Sequence, residues 1–498
     1  MSGVERKPIV LRADWALTAP DQPALRHAAV VVESGRIKAI GPAQTIGRPD
    51  GAEVMELGAA ILMPGLVNAH QHGRGISQLL LGYSDTALEP WIAGRKQHGP
   101  PDIRAVTRLA AESMLANGVT AALHANYTYG TGDYAQEIRA QIKGYQDVGL
   151  RVTICLGLQD RGYTIYPNAD DAAFAAALPD SARSLALPPA YSPYMPDWPA
   201  SLALMDQLQA EYAHDPLIHF AWGPAGPQWV SDGMWRAIAK DAEKRNVGLH
   251  FHLLESPAQA KAARDLYPGG TLAHLQRLRV FEGPTSCAHG VYLTASDIQI
   301  AAAEGLVVVL NPGANLRLFN GAPPVASLRD AGIRLAAGTD NCALNDDEDY
   351  LKELRLAATL GRSCQMRTGY DEAADSFRMG TCAGSAALFL DNEGDRLATG
   401  RRADITAFRV SGLGPLDLID AQRLAELFFA RGAGKDCCLT MVAGSVRYAD
   451  RPEDRLRSQH TSVQAIASVR ARVQLATDDQ IGQLQTGLRN HYAARKGR

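Results

Sequence analysis

The stretch GLVNAHQH at residues 65–72 opens a series of eight apolar, β-like runs, and that series decides the fold. The other seven are TAALHA (120–125), RVTICLGL (151–158), LIHFAWGP (217–224), VGLHFHLLE (247–255), TSCAHG (285–290), GLVVVLNP (305–312) and GIRLAAGTD (332–340). Amphipathic segments such as DIRAVTRLAAESMLANG (102–118) and DGMWRAIAKDAEKRNV (232–247) sit between them with apolar residues at helical spacing. Strand-like runs alternating with helices are the pattern of an α/β protein with parallel strands, and eight units predict a (β/α)8 TIM-like barrel. A doubly wound open sheet is the structural alternative. No glycine-rich GxGxxG follows any of the runs, so a dinucleotide domain is not expected.

Outward from the barrel, both ends of the chain read as short strands. IVLRADWALT (9–18) and HAAVVVESGRIKAIG (27–41) carry β-branched runs, with Ser34-Gly35 as a hairpin turn. Similar material returns as ADITAFRV (403–410) and CLTMVAGSVRYAD (438–450), with a turn at Gly444-Ser445. The expected division is a small β-sandwich domain from residues 1–62 plus 395–452, a catalytic barrel from 63–394, and a helical tail from 453–498. Residues 159–200 form a long insertion between the third and fourth strands, with prolines at 188, 189, 193, 196 and 199. Such an insertion is either a stiff surface connection or part of a lid over the barrel mouth.

Composition narrows the function classes. Fifty Lys and Arg against 53 Asp and Glu give a net charge of −3, which offers no broad basic face for nucleic acid or anionic lipid. Seven scattered cysteines read as reduced thiols, and the adjacent Cys437-Cys438 lacks a second pair at ligand spacing. The N-terminal residues lack the apolar core of a signal peptide, and no apolar run is long enough to span a membrane. A cytoplasmic enzyme acting on a small molecule is the expectation.

Nearly every barrel run ends in a polar residue, where barrel enzymes place their sites. His70 and His72 stand two apart on one strand and so project from the same face, as do His250 and His252 on the fifth. Of the second pair His252 is nearer the strand end, with His250 deeper in the barrel. Glu255 follows, the sixth run ends in His289, and the eighth ends in Thr339-Asp340-Asn341. A lone HxH is weak evidence, because isolated histidines usually make core hydrogen bonds. Four or five polar groups in one strand-end register are hard to reproduce by chance. Imidazoles with one carboxylate suit Zn2+ first and Fe2+ second, with a position left for water. Such a metal supplies a hydroxide nucleophile near neutral pH. Asp340 can ligate and accept the water proton, Glu255 can shuttle a proton to a ring or leaving-group nitrogen, and His289 can polarise the attacked centre or orient the water.

The stretches MPGLVNAHQHGRG (63–75), HFHLLES (250–256), CAHGVYLT (287–294) and GTDNCALNDD (338–347) resemble the amidohydrolase superfamily, in its cytosine/guanine deaminase and triazine-hydrolase (ATZ/TRZ) branch. NPGANLRLFNGAPPVASLRDAGIRLAAGTD (311–340) and GRRADITAF (400–408) are similar to it as well, so the likeness spans all but the tail. The resemblance implies one divalent metal held by His70, His72, His252 and Asp340, with Glu255 and His289 as catalytic partners. Binuclear relatives use a carboxylated Lys after the fourth strand, and LIHFAWGPAGP contains none. It also implies a homodimer or higher homo-oligomer. One departure stands out: deaminases of this branch commonly place a His or Arg after the fourth strand, where this chain has Gly223-Pro224-Ala225-Gly226.

Residues expected to shape the substrate pocket are His124, with Asn126 at the second strand end, Trp91 after the first strand, and Asn315 near the mouth; the alternatives are packing behind the site for His124, helix packing for Trp91, and loop tying for Asn315. Asn345 matches a similar position, Cys342 lies too close to Asp340 to be read as a nucleophile, and the acidic run 346–349 reads as a solvated helix start. The function expected is hydrolytic deamination of a nitrogen heterocycle. Hydrolysis of an amide, urea or carbamate-like bond, or triazine dechlorination or N-dealkylation, is the alternative on the same scaffold. A non-catalytic barrel scaffold is the third reading, and it predicts eroded ligands.

Overall fold

The computed structural model describes residues 7–81, 83–186, 197–340, 345–362, 371–390, 394–415 and 418–494. Asn341, Cys342 and residues 187–196 of the proline-rich insertion lie outside the described residues. The eight expected runs form eight strands: β6 (Leu66–Gln71), β7 (Val119–Ala125), β8 (Arg151–Leu158), β9 (Ile218–Pro224), β10 (Leu249–Leu253), β11 (Thr285–His289), β12 (Val307–Leu310) and β13 (Arg334–Ala337). They are hydrogen-bonded in sequence order as one parallel sheet. Every residue of β6, β7, β8, β10 and β11 is buried, as strands covered on both faces require. The barrel closes at its catalytic rim, where the Asp340 N–H donates to the His70 carbonyl at 3.0 Å and Gln71 bridges Asp340.

The remaining strands are β1 (Ile9–Ala16), β2 (Leu25–Glu33), β3 (Arg36–Pro42), β4 (Glu53–Glu56) and β5 (Ala60–Pro64) from one end, and β14 (Ile405–Arg409), β15 (Cys437–Val442) and β16 (Ser445–Ala449) from the other. They join in the order β16-β15-β14-β5-β1-β2-β3, with β4 beside β1. One hydrogen-bonded sheet therefore holds both chain ends. Its core is filled by alternate residues such as Leu11 and Ala13, Val30 and Val32, and Leu439 and Met441. The β15–β16 turn sits one residue earlier than expected: Val442 pairs with Ser445, leaving Ala443 and Gly444 at φ 48° and 73°. Those left-handed angles match the turn to the twist of the hairpin. A buried Arg151–Asp404 pair at 3.3 Å ties β8 to the start of β14. The five described cysteines are free thiols.

The tail is integral. Its first helix, Pro452–Arg470, lays Ala465 and Val469 on Ala105, Val106 and Leu109 of the helix Ile103–Ala116. Thr461 Oγ1 donates to Glu112 Oε1 at 3.0 Å across that contact. Residues 473–475 then run beside the segment after the helix Leu88–Arg95: the Gly99 N–H reaches the Val473 carbonyl and the Leu475 N–H reaches the Gln97 carbonyl, both at 2.8 Å. The last helix, Asp478–Ala494, packs Leu484 and Leu488 on Ala93, Ile165 and Phe174. No helix among the described residues is long and apolar enough to cross a membrane.

Candidate metal centre and substrate cavity

Ring nitrogens and a carboxylate oxygen converge at the C-terminal rim of the barrel. One donor atom each from His70, His72 and His252 lie within 4.8 Å of one another, and so do donors of His70, His289 and Asp340. The partners of the opposite ring nitrogens set the tautomers. His72 Nδ1 faces the Ala125 carbonyl at 2.6 Å and His252 Nδ1 faces the Ala225 carbonyl at 3.0 Å, so each Nδ1 carries the proton. Their Nε2 atoms are left as lone-pair donors. His70 is fixed through a longer chain. Ser286 Oγ donates to the Ala387 carbonyl at 3.0 Å and accepts from His250 Nδ1 at 2.7 Å. His250 Nε2 is therefore an acceptor, and it takes the His70 Nδ1 proton at 2.8 Å. The pair His250–Ser286 thus aims the bare Nε2 of His70 into the site.

His70 Nε2 and Asp340 Oδ1 are buried with no hydrogen-bond partner among the described residues. Asp340 Oδ1 lies 2.9 Å from His72 Nε2, which already has its proton on the other nitrogen. Two lone pairs that close require a proton or a cation between them. The donor set of three imidazoles and one carboxylate fits a divalent ion such as Zn2+. Burial, with a smaller contribution from neighbouring imidazoles, pushes His252 well below the ordinary histidine range, and burial lowers His70 despite its contact with Asp340. Burial opposes the Asp340 carboxylate, but His70 and His72 hold it well below the usual range. His70, His252 and Asp340 are thereby biased toward the deprotonated forms that can bind a metal.

The backbone is arranged for this convergence at a cost. His289 at the end of β11 and Asp340 just past β13 have φ 75° and 62°, left-handed conformations that non-glycine residues rarely adopt. Gly338 passes so close to the first strand that a Cβ there would meet the His70 N and O at 2.7 Å. The unusual Gly223-Pro224-Ala225-Gly226 segment serves His252: Ala225 supplies the carbonyl, and a Cβ on Gly226 would lie 2.8 Å from the His252 carbonyl oxygen.

The model of the amidohydrolase family matches residues 61–446. The chain belongs to the amidohydrolase family. Family membership makes it a hydrolase. It is 28% identical over 454 residues to a 5-methylthioadenosine/S-adenosylhomocysteine deaminase of Halobacterium salinarum, covering 88% of this chain and 93% of the relative. Among solved structures it resembles a zinc-bound adenosine deaminase from Xanthomonas campestris at TM-score 0.74 and 24% identity, covering 93% of this chain and 99% of that one. It also resembles the zinc complex of atrazine chlorohydrolase from Arthrobacter aurescens at TM-score 0.72 and 22% identity, covering 92% and 100%.

In this amidohydrolase a cavity reaches the converging donors and is lined by His72, His252, Glu255, His289 and Asp340 together with Trp91 and Tyr127. Glu255 Oε1 accepts from Asn320 Nδ2 at 2.9 Å, and Oε2 lies 3.6 Å from His289 Nε2. Burial, then the charges of Asp340 and Glu89, raise the Glu255 carboxyl well above its ordinary value. His289 donates from Nδ1 to Asn315 Oδ1 at 2.8 Å, and burial lowers its pKa to about 4. Asn315 thus positions His289 and does not itself line the cavity. His124 does not line it either: it is fully buried, with Nδ1 2.7 Å from the Tyr145 hydroxyl. That hydroxyl also accepts from Gln71 Nε2 at 2.6 Å, so His124 braces the strand end from behind. Asn126 likewise turns inward to Gln141.

Several residues of the cavity escape the sequence reading. Glu89 lines it and accepts from Tyr166 Oη at 2.8 Å and from Ser256 Oγ. Burial raises its carboxyl above the ordinary value, against those two hydrogen bonds. A carboxylate two residues before Trp91 is the signal in the sequence, but nothing local distinguishes it from a solvated one. Leu484 of the last helix reaches the same wall. The described part of the insertion contributes Tyr163 and Tyr166.

Proposed function

We propose that the protein is a hydrolytic deaminase of an amino-substituted nitrogen heterocycle, of the adenosine type, working with one Zn2+ held by His70, His72, His252 and Asp340. The observation that carries this reading is Glu255. It is a buried carboxyl whose pKa burial raises, fixed by Asn320 on one oxygen and facing His289 with the other. A carboxyl that retains its proton in that place can give it to a ring nitrogen during attack and recover one from the new hydroxyl as the amine departs with the proton taken from water, as deamination requires and simple ester cleavage does not.

When bound, the metal supplies a Lewis acid that activates water for attack at an sp2 carbon. The chain's own groups do the rest. Asp340, whose carboxylate His70 and His72 hold ionised, would take the proton released from the attacking water and pass it to the departing amine. His289, with its proton fixed on Nδ1 by Asn315, offers Nε2 as an acceptor that orients the water. Trp91 and Tyr127 provide flat apolar surface for a heterocycle. We also assign residues 1–62 plus 395–452, 63–394 and 453–498 to three folding parts, with the tail completing the cavity wall.

Ammonia release from a panel of purines, pyrimidines, pterins and triazines tests the reading. His252→Ala is expected to lose both metal and activity, whereas Glu255→Gln keeps the metal and loses turnover by about 10²–10⁴-fold. Full activity in Glu255→Gln refutes the proton-shuttle role. Chloride or alkylamine release without ammonia from the amino-heterocycles favours the triazine-hydrolase alternative.

A further inference from the structure

Basic side chains line the same cavity as the converging donors. Arg74, two residues beyond the ligand His72, and Lys96, just past the helix that carries Glu89 and Trp91, both line it. Neither makes an ion pair among the described residues. Lys96 Nζ donates to the Tyr163 carbonyl at 3.1 Å and lies 4.5 Å from the centre of the Tyr163 ring. The Arg74 guanidinium lies 4.5 Å from the centre of the Tyr129 ring, which occupies its flat face and leaves N–H edges for another partner. The carboxylates of the same cavity are engaged elsewhere: Glu89 by Tyr166 and Ser256, Glu255 by Asn320, Asp340 against His72.

Uncompensated positive charge on the wall of a mostly apolar cavity is costly, and it is relieved when an anion arrives. The chain as a whole is near neutral, so this charge belongs to the site and not to a general basic surface. Burial, followed by repulsion from Arg95, lowers the Lys96 ammonium to about 8, as expected for a cation that lacks a counter-charge.

We propose that Arg74 and Lys96, which line the same cavity as the metal donors, hold an anionic group of the substrate, a carboxylate or a phosphate. The proposal rests on the deaminase reading for the reacting part of the molecule. The preferred substrate is then an aminated heterocycle bearing a negative substituent. The basic side chains select among substrates, whereas the metal donors and Glu255 perform the reaction.

Calorimetric titration of the zinc-loaded protein with benzoate, phenyl phosphate and neutral benzamide tests this without requiring turnover. At least one anion is expected to bind tenfold or more tighter than benzamide, the preferred one telling carboxylate from phosphate. Lys96→Met and Arg74→Met are each expected to lose that preference by tenfold while benzamide binding stays within twofold. Lys96→Arg, which keeps the charge, retains it. Anion affinity unchanged within threefold in both methionine variants places the anion on the metal and overturns the subsite, as does the absence of any preference in the wild type. If one variant fails to fold, the other carries the comparison. Loss of the preference in the variants together with no ammonia release from any amino-heterocycle keeps the subsite and refutes the deaminase reading.

Discussion

Replacing His250 by phenylalanine isolates what the buried relay behind the metal contributes. In the native chain the proton on His70 Nδ1 is accepted by His250 Nε2 at 2.8 Å, because His250 spends its own proton on Ser286 at 2.7 Å. Phenylalanine keeps the volume approximately and removes the acceptor. Ser286 loses an incoming bond but still donates to the Ala387 carbonyl, so the penalty concentrates on His70. Either the Nδ1–H is left buried and unpaired, at about 1–3 kcal/mol, or the proton moves to Nε2 and must be expelled before metal can bind. Both routes weaken the metal site, and loss of such an outer partner typically costs 10–100-fold in affinity. Competition with a fluorescent zinc chelator measures this directly, and calorimetric unfolding of the metal-free protein separates it from a general loss of stability. Ser286→Ala, which disturbs the relay one step further out, should fall between wild type and His250→Phe. A folded His250→Phe protein with zinc affinity within twofold of wild type refutes the tautomer assignment.

Other consequences can be checked separately. Burial lowers the pKa values of His70, His124, His250, His252 and His289, so the unfolded chain binds protons that the folded chain refuses. Their contribution to stability is present above the ordinary histidine pKa of about 6.5 and is lost as pH falls below it, by about 1 kcal/mol per histidine per pH unit. Scanning calorimetry of the chelated protein from pH 7 to 5 should show a steep fall in Tm, and a flat profile contradicts the burial of these rings. The raised carboxyls of Glu89 and Glu255 act in the opposite sense and do not contribute to the acid loss. Asp340→Asn removes the charge between His70 and His72 and should lower zinc affinity at least tenfold by the same chelator competition. Leu484→Trp adds bulk to the cavity wall and should raise KM for the larger of two substrates more than for the smaller, with metal content unchanged.

The barrel and the convergence of its histidines with Asp340 were legible because both are written in local periodicity. Paired histidines two apart on a strand share a face, and strand-end positions of a parallel barrel share a rim, so HQH, HFH, AHG and GTD could be brought together without coordinates. What was not legible depends on contacts between distant segments. His124 carries the same strand-end signature as His70, yet it meets Tyr145 behind the site, and only the packing of that tyrosine decides it. Asn315, read near the mouth as a substrate or loop-tying residue, accepts from His289 through its Oδ1. Glu89 and Leu484 are ordinary residues of a helix and a tail until the fold brings them to one cavity, and Asn320 is an ordinary loop residue until it meets Glu255. The acidic run at 346–349 contains Glu348, which is buried and accepts from Thr339 Oγ1 at 2.8 Å. A charge run read as solvated therefore holds one member inside.

The strap at residues 473–475 and the helix Asp478–Ala494 have an implication for biosynthesis. All eight barrel strands precede residue 340, so a ribosome can deliver the metal ligands while more than a quarter of the 498-residue chain is still unmade. The wall that includes Leu484, and the backbone bonds that pin Gln97 and Gly99, arrive only after the eighth barrel strand has emerged. A nascent or clipped chain can thus be competent for metal before it is competent to enclose a substrate. Selectivity is acquired after metal competence, and a protease acting on the helix Asp478–Ala494 would remove it first.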